Sequence, residues 1–122
     1  MFLKTKKNEE FYQNILEKHF NASHKVLETG ITDITTDHAH IEIKRWNCWR
    51  EAFAQLLLYN SSEKKENLIA CFFGEYQQSA KDIAVKSLQG QSIECYEFKH
   101  NVDNIELVNM DSKDCIVVFV NE

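Results

Sequence analysis

The sequence predicts a mixed α/β domain: a sheet with helices packed on it. Three observations lead there. Apolar residues recur at three- and four-residue spacing through residues 8–20, alternate with polar ones from Ala39 to Lys44, and run unbroken from Leu68 to Phe73. These are the periods of an amphipathic helix, a half-buried strand and a strand covered on both faces. The full order reads α-β-β-β-α-β-α-β-β-β.

The first helix spans residues 8–20, with Phe11, Tyr12, Ile15, Leu16 and His19 on its apolar face. Asn8 is its expected N-cap, and Glu9 and Glu10 suit the positive end of the helix. Helix phase puts Glu9 at the edge of the apolar face and turns Glu10 and Glu17 away from it. Three short strands follow, Lys25 to Glu28, Ile31 to Thr36 and His38 to Arg45, in an expected antiparallel meander. Asp37 is the expected turn residue between the last two.

The second helix covers residues 47–60, with Trp49, Ala52, Phe53, Leu56 and Tyr59 or Asn60 on one side. Gln55 and Tyr59 are four apart, so they stack along one edge of it. A polar loop, NSSEKKEN, leads to the central strand from Leu68 to Phe73. Ser79 to Asp82 resembles a capping box and opens a third helix that ends at Gly90, with Ala80, Ile83, Ala84 and Leu88 facing inward. The strand Ile93 to Phe98 completes a β-α-β crossover, so it should run parallel to its predecessor. Ile105 to Val108 and Cys115 to Val120 form a C-terminal hairpin at the sheet edge.

Composition narrows the class. A chain of 122 residues with no proline and three glycines carries no linker or repeat, so one domain over residues 1–122 is expected. The longest apolar runs have strand length, and the N-terminal MFLKTKKNEE lacks the apolar stretch of a secretory signal. An intracellular protein, in cytoplasm or nucleus and away from membranes, is the expectation. The cysteines at 48, 71, 95 and 115 form no CxxC pair and read as reduced apolar filler. A net charge of −5 argues against non-specific coating of nucleic acid. That charge is uneven, because residues 1–50 hold eight Lys/Arg against seven Asp/Glu.

The stretch GITDITTDHAHIEIKRW, Gly30 to Trp46, carries the candidate chemistry. Strand alternation buries Ala39, Ile41 and Ile43 and sends His40, Glu42 and Lys44 to the other face. Asp33 can reach the same patch from the neighbouring strand, about 4.8 Å away. Two carboxylates can hold a hard cation such as Mg²⁺ or Mn²⁺, with the backbone carbonyl of Ile43, between Glu42 and Lys44, as a further ligand. A lysine there can hold water and offset developing charge. The plainer alternative is a solvated strand face. His38 and His40 flank a turn and are expected in solvent. Trp49 is expected in the core or anchoring the helix start. Trp46, just past the strand end, is the more open of the two and available for base stacking.

Asp33 followed by Glu42-Ile43-Lys44 on an apolar strand resembles the core motif of the PD-(D/E)XK nuclease superfamily. Thr32 stands where a proline often precedes the Asp in that family. The run QLLLY, Gln55 to Tyr59, is similar to the Q-x-x-x-Y element of one branch, and WNCW, Trp46 to Trp49, resembles small nuclease-like proteins of large DNA viruses. The resemblance covers residues 8–73. It implies a restriction-endonuclease-like α-β-β-β-α-β core and a Mg²⁺- or Mn²⁺-dependent deoxyribonuclease. Asp33, Glu42, Lys44, Gln55 and Glu9 are then the catalytic set, with Glu10 or Glu17 as alternatives for the helix acid. Asp33, Glu42 and Ile43 would hold the metal, and Lys25, Arg45, Trp46 and Tyr59 would meet DNA. A homodimer, or a place in a larger assembly, goes with so small a nuclease. A catalytically inert module of the same fold, binding nucleic acid or protein, is the alternative.

Overall fold

The structure, a computed structural model, describes residues 8–121. Helix α1 (Glu9–Phe20) starts where the sequence places it, because the Asn8 side-chain oxygen accepts the Phe11 N–H at 3.0 Å. It stops at Asn21, which is left-handed (φ 51°) and turns its N–H back on the last carbonyls. Tyr12, Ile15 and Leu16 are buried, whereas His19, expected on the same face, is exposed.

The predicted meander is more broken than expected. Strands β1 (Val26–Leu27) and β2 (Gly30–Ile31) form a separate two-stranded ribbon. The chain then bends at Thr32 and Asp33 before β3 (Ile34–Thr35) joins the main sheet beside β4 (Ala39–Arg45). Asp37 lies in the turn between β3 and β4, as expected, and Thr36 braces that turn. The Thr36 hydroxyl accepts from the backbone N–H groups of His38 and Ala39 at 3.1 and 3.0 Å.

A 3₁₀ turn (Trp46–Cys48) leads into α2 (Trp49–Ser62), followed by β5 (Asn67–Phe73), α3 (Gln78–Gly90), β6 (Ile93–His100), β7 (Asn104–Asn109) and β8 (Cys115–Val120). The sheet order is β3-β4-β5-β6-β7-β8. Strands β4, β5 and β6 are parallel, and the flanking pairs are antiparallel. The expected crossover and the C-terminal edge hairpin are therefore both present.

Two cores sandwich the sheet. Ile41, Ile43, Cys71, Phe73 and Phe98 pack under α1. Leu68, Ala70, Phe72, Ile93 and Cys95 pack under α2 and α3. The central strand β5 feeds both, which accounts for its unbroken apolar run. Helices α2 and α3 share a face because each is the crossover of a parallel pair and such crossovers keep one hand. In α3 the structure differs from expectation. It begins at Gln78, Gln77 makes no side-chain cap, and only Ala84 and Leu88 are buried within it, while Ala80 and Ile83 face out. The inward stripe is thus narrower than the pattern implied.

At the far edge β8 is open, with Ile116, Val117, Phe119 and Val120 all exposed. All four cysteines are free thiols. No helix among the described residues is long and apolar enough to cross a membrane.

Gly30 holds φ at +142°, and a Cβ there would stand 3.3 Å from the ring of Tyr59. That backbone region is open to glycine almost alone, at a cost of about 1–3 kcal/mol for other residues. Gly30→Ala is therefore expected to lower stability by about that amount in urea or thermal unfolding. A loss under about 0.5 kcal/mol, the level of a neutral surface change, would contradict this reading.

Candidate functional site

The bend at Thr32–Asp33 builds the site. If β3 extended backwards, residue 33 would lie opposite Glu42 and residue 32 opposite Ile43. Side chains replace that ladder. The Asp33 carboxylate accepts the Ile43 N–H at 2.8 Å, and the Glu42 carboxylate accepts the Asp33 N–H at 3.1 Å. Each acid thus ties down the other's neighbourhood through a hydrogen bond to the backbone. The Thr32 N–H, which would have met the Ile43 carbonyl, goes to the Lys25 carbonyl at 2.9 Å instead. A ladder residue presents its N–H and C=O toward the same neighbour, so the Ile43 carbonyl points to the Asp33 side.

Glu42 is only 1% exposed. Burial, and then the charge of Asp33, push its carboxyl up to about 8, against the pull of Lys44 and of the Asp33 N–H. Burial also raises Asp33, opposed by the Ile43 hydrogen bond and the Lys44 charge. At neutral pH the pair therefore shares one proton too many for two ordinary carboxylates. Lys44, on the same strand face, lies 3.8 Å from Glu9 across the N-terminus of α1. Five of the expected residues are placed by three elements: Asp33 by the bend, Glu42, Ile43 and Lys44 by β4, and Glu9 by α1.

Helix α2 runs back along β4 and covers this face. Tyr59 is buried, and its hydroxyl donates to the Ile31 carbonyl at 2.8 Å, pinning the chain just before the bend. Burial and the nearby charges of Glu42 and Asp33 push its phenol far above the ordinary tyrosine range. Gln55 sits one turn earlier, toward the Lys44 end, and its amide oxygen is buried with no hydrogen-bond partner. An orphaned acceptor and two crowded carboxylates suit a bound cation. Among the described residues no cluster of three or more His, Cys, Asp or Glu side chains is arranged to hold a metal. The donors that fit one are therefore the two acids, the Ile43 carbonyl and the Gln55 amide oxygen.

Of the residues expected to meet DNA, Tyr59 lies here, buried and bonded to the Ile31 carbonyl, and the other three do not. Lys25 is ion-paired with Glu63. Arg45 points to the opposite sheet face, over the Phe73 ring at 5.0 Å. Trp46, expected to be open, is 3% exposed, stacked on Phe72, with its indole N–H donated to Glu97 at 2.9 Å. His40, expected in solvent, is fully buried between the Thr35 hydroxyl and the Glu63 carbonyl. His38 is exposed, beside Glu66.

Two contributors escaped the sequence reading. Gln13 donates its amide to the Asp33 carbonyl and to Glu17. It stands four residues after Glu9, on the same side of α1, and that spacing was a usable signal. Thr32 is 1% exposed and bonds Thr35 and the Lys25 N–H. A lone threonine before an aspartate offers no comparable signal.

Fold and site together define a mixed α/β domain that holds a buried Glu42 and a half-buried Asp33 beside a lysine. No protein-family model matches the chain, and neither a curated protein nor a solved structure does.

The raised Glu42 carboxyl has a measurable sign. Between its ordinary value of 4.5 and about 8 the folded chain binds more protons than the unfolded one. Its stabilising contribution is whole below 4.5 and is lost as pH rises through about 8. The slope reaches about 1.4 kcal/mol per pH unit for one group. Glu42→Gln keeps the acceptor for the Asp33 N–H and removes the charge. Its Tm, without divalent cations, should exceed the wild type's near pH 8 and vary less with pH. A wild-type Tm that climbs across this window would contradict the assignment.

Proposed function

We propose that the chain is a metal-dependent deoxyribonuclease of the PD-(D/E)XK type, built on a restriction-endonuclease-like core. The carrying observation is the reciprocal bonding of Asp33 and Glu42 with Lys44 on the same strand face. The run of α1, short antiparallel strands, β4, α2 and parallel β5 supports the reading, as does the position of Gln55 and Tyr59 over β4.

Asp33, Glu42 and the Ile43 carbonyl would hold Mg²⁺ or Mn²⁺, with Gln55 beside them. When bound, such an ion polarises a phosphate oxygen and lowers the pKa of water. Lys44 holds the attacking water and offsets charge on the phosphate. Glu9 stands by the Lys44 ammonium and fixes its position. Tyr59 keeps the Ile31–Asp33 segment in place through the Ile31 carbonyl. The expected products carry a 5′-phosphate and a 3′-hydroxyl.

Purified protein should nick or degrade some form of DNA with Mn²⁺ and stop with EDTA. Lys44→Ala should cost at least about 100-fold in rate, the lower range for a general acid–base group. Asp33→Asn should abolish the rise in Tm that Mn²⁺ gives the wild type. Survival of single-stranded, double-stranded, branched and nicked DNA alike would sink the enzymatic reading.

The inert module is the second reading. Among the described residues no third His, Cys, Asp or Glu joins Asp33 and Glu42 in a metal-holding group, and this favours it. Its signature is no Mn²⁺-induced change in Tm at all.

A homodimer through β8 is part of the first proposal, because an open apolar strand edge invites another strand. Sedimentation should give twice the 14.3 kDa monomer mass. Val117→Lys should return it to monomer. A monomeric wild type at tens of micromolar would remove this part.

A further inference from the structure

A second concave site lies outside the carboxyl ends of parallel strands β4 and β5, where open α/β sheets characteristically bind ligands. It is a cleft of about 420 Å³, within the range of small-molecule sites. Trp46 and Trp49 line it on the β4 side, and Tyr76 and Lys81 on the α3 side. Arg50 stands at the Trp49 face, 4.6 Å from its ring centroid. The Lys81 ammonium lies 4.0 Å from the Tyr76 ring centroid and 3.0 Å from Glu97.

This combination is specific in its chemistry. Three aromatic residues and two cations converge with a single acid, Glu75, in one cleft of a chain whose net charge is −5. Tyr76 is 47% exposed, on the short loop between β5 and α3, although aromatic rings are normally buried. Flat, electron-rich ligands with a nearby negative charge suit such a lining. The cleft also continues the carboxylate site. Trp46 opens the 3₁₀ turn just past the end of β4 and stacks on Phe72, the register partner of Lys44 on β5. Cys48, beside Asn47 of the cleft lining, lies within electrostatic reach of both Lys44 and Glu9.

We infer that this cleft takes one unpaired base of a DNA strand whose neighbouring phosphate lies at Lys44. Tyr76 supplies the stacking face, backed by the Lys81 ammonium that Glu97 holds in place, and Arg50 meets the adjoining phosphate. A base inside a duplex cannot enter a pocket of this kind without leaving its stack. The preferred substrate is therefore a single strand, a flap or a frayed end. The inference rests on the reading of the chain as a protein that acts on DNA, and it names the form of that DNA.

The chain has two tryptophans and both line the cleft, so intrinsic fluorescence reports it directly. The test is titration of the full chain with oligo(dT) in EDTA, where neither metal nor cleavage is needed. Saturable quenching is expected. Tyr76→Ala should weaken it by about five- to a hundredfold, the range for loss of one stacked base, and Tyr76→Phe should retain it. An abasic oligonucleotide of equal length should quench far less. Three results would overturn the inference: no saturable quenching, equal quenching by the abasic strand, or Tyr76→Ala binding like the wild type. Quenching that persists in a chain that cuts nothing would support the cleft and remove only the catalytic reading. Cleavage without preference for unpaired DNA, and without quenching, would remove the cleft and leave catalysis standing.

Discussion

Two backbone N–H groups held by two carboxylates fix the arrangement of this molecule's working edge. Asp33 takes the Ile43 N–H, and Glu42 takes the N–H of Asp33. Without them the chain from Ile31 to Thr35 would pair with β4 as an ordinary strand. With them, the ribbon of β1 and β2 turns away, β3 is cut to two residues, and one face of β4 is left for acids. The Asp33 bond is charge-assisted when that acid is ionised, and such bonds are about twice as strong as neutral ones. Both bonds offset part of the cost of placing two carboxyl groups where water is scarce.

The surrounding packing is organised around that lock. Helix α1 buries Tyr12, Ile15 and Leu16 on one side of the sheet, yet its first turn brings Glu9 to Lys44 and its second brings Gln13 to the Asp33 carbonyl. Helix α2, on the other side, closes over Glu42 and uses Tyr59 to clamp Ile31. Gly30 is the point where the tyrosine ring and the backbone come close, so a Cβ there would press on the ring. The cleft beyond β4 and β5 depends on the same helix, because Trp49 and Arg50 are its first residues.

Much of this was legible in the residues. Alternation along Ala39 to Lys44 fixed which side chains share a face, and helix phase singled out Glu9. The apolar run at Leu68 marked the central strand, and the crossover spacing gave its parallel neighbour. The rest was hidden for identifiable reasons. Ile31 to Thr36 has strand composition throughout, and only tertiary bonds to β4 break it at Asp33. Arg45 and Trp46 were expected to meet DNA, but strand parity sends Arg45 to the far face, and Glu97, fifty-one residues later, satisfies the Trp46 indole. Ile83 matched the inward stripe of α3 yet is exposed, since α3 lies over the sheet along a line of only Ala84 and Leu88.

The buried Glu42 carboxyl also changes what folding does to the solution around it. An unfolded chain near neutrality releases the Glu42 proton, and the folded chain keeps it, so each folding event takes a proton from the buffer. The folded molecule is then up to one unit less negative than the −5 read from its sequence. The heat of unfolding becomes dependent on the buffer, because the proton released on melting is absorbed with that buffer's own ionisation enthalpy. Calorimetric enthalpies for this protein carry that contribution from the solvent, and comparison across buffers yields the proton count directly.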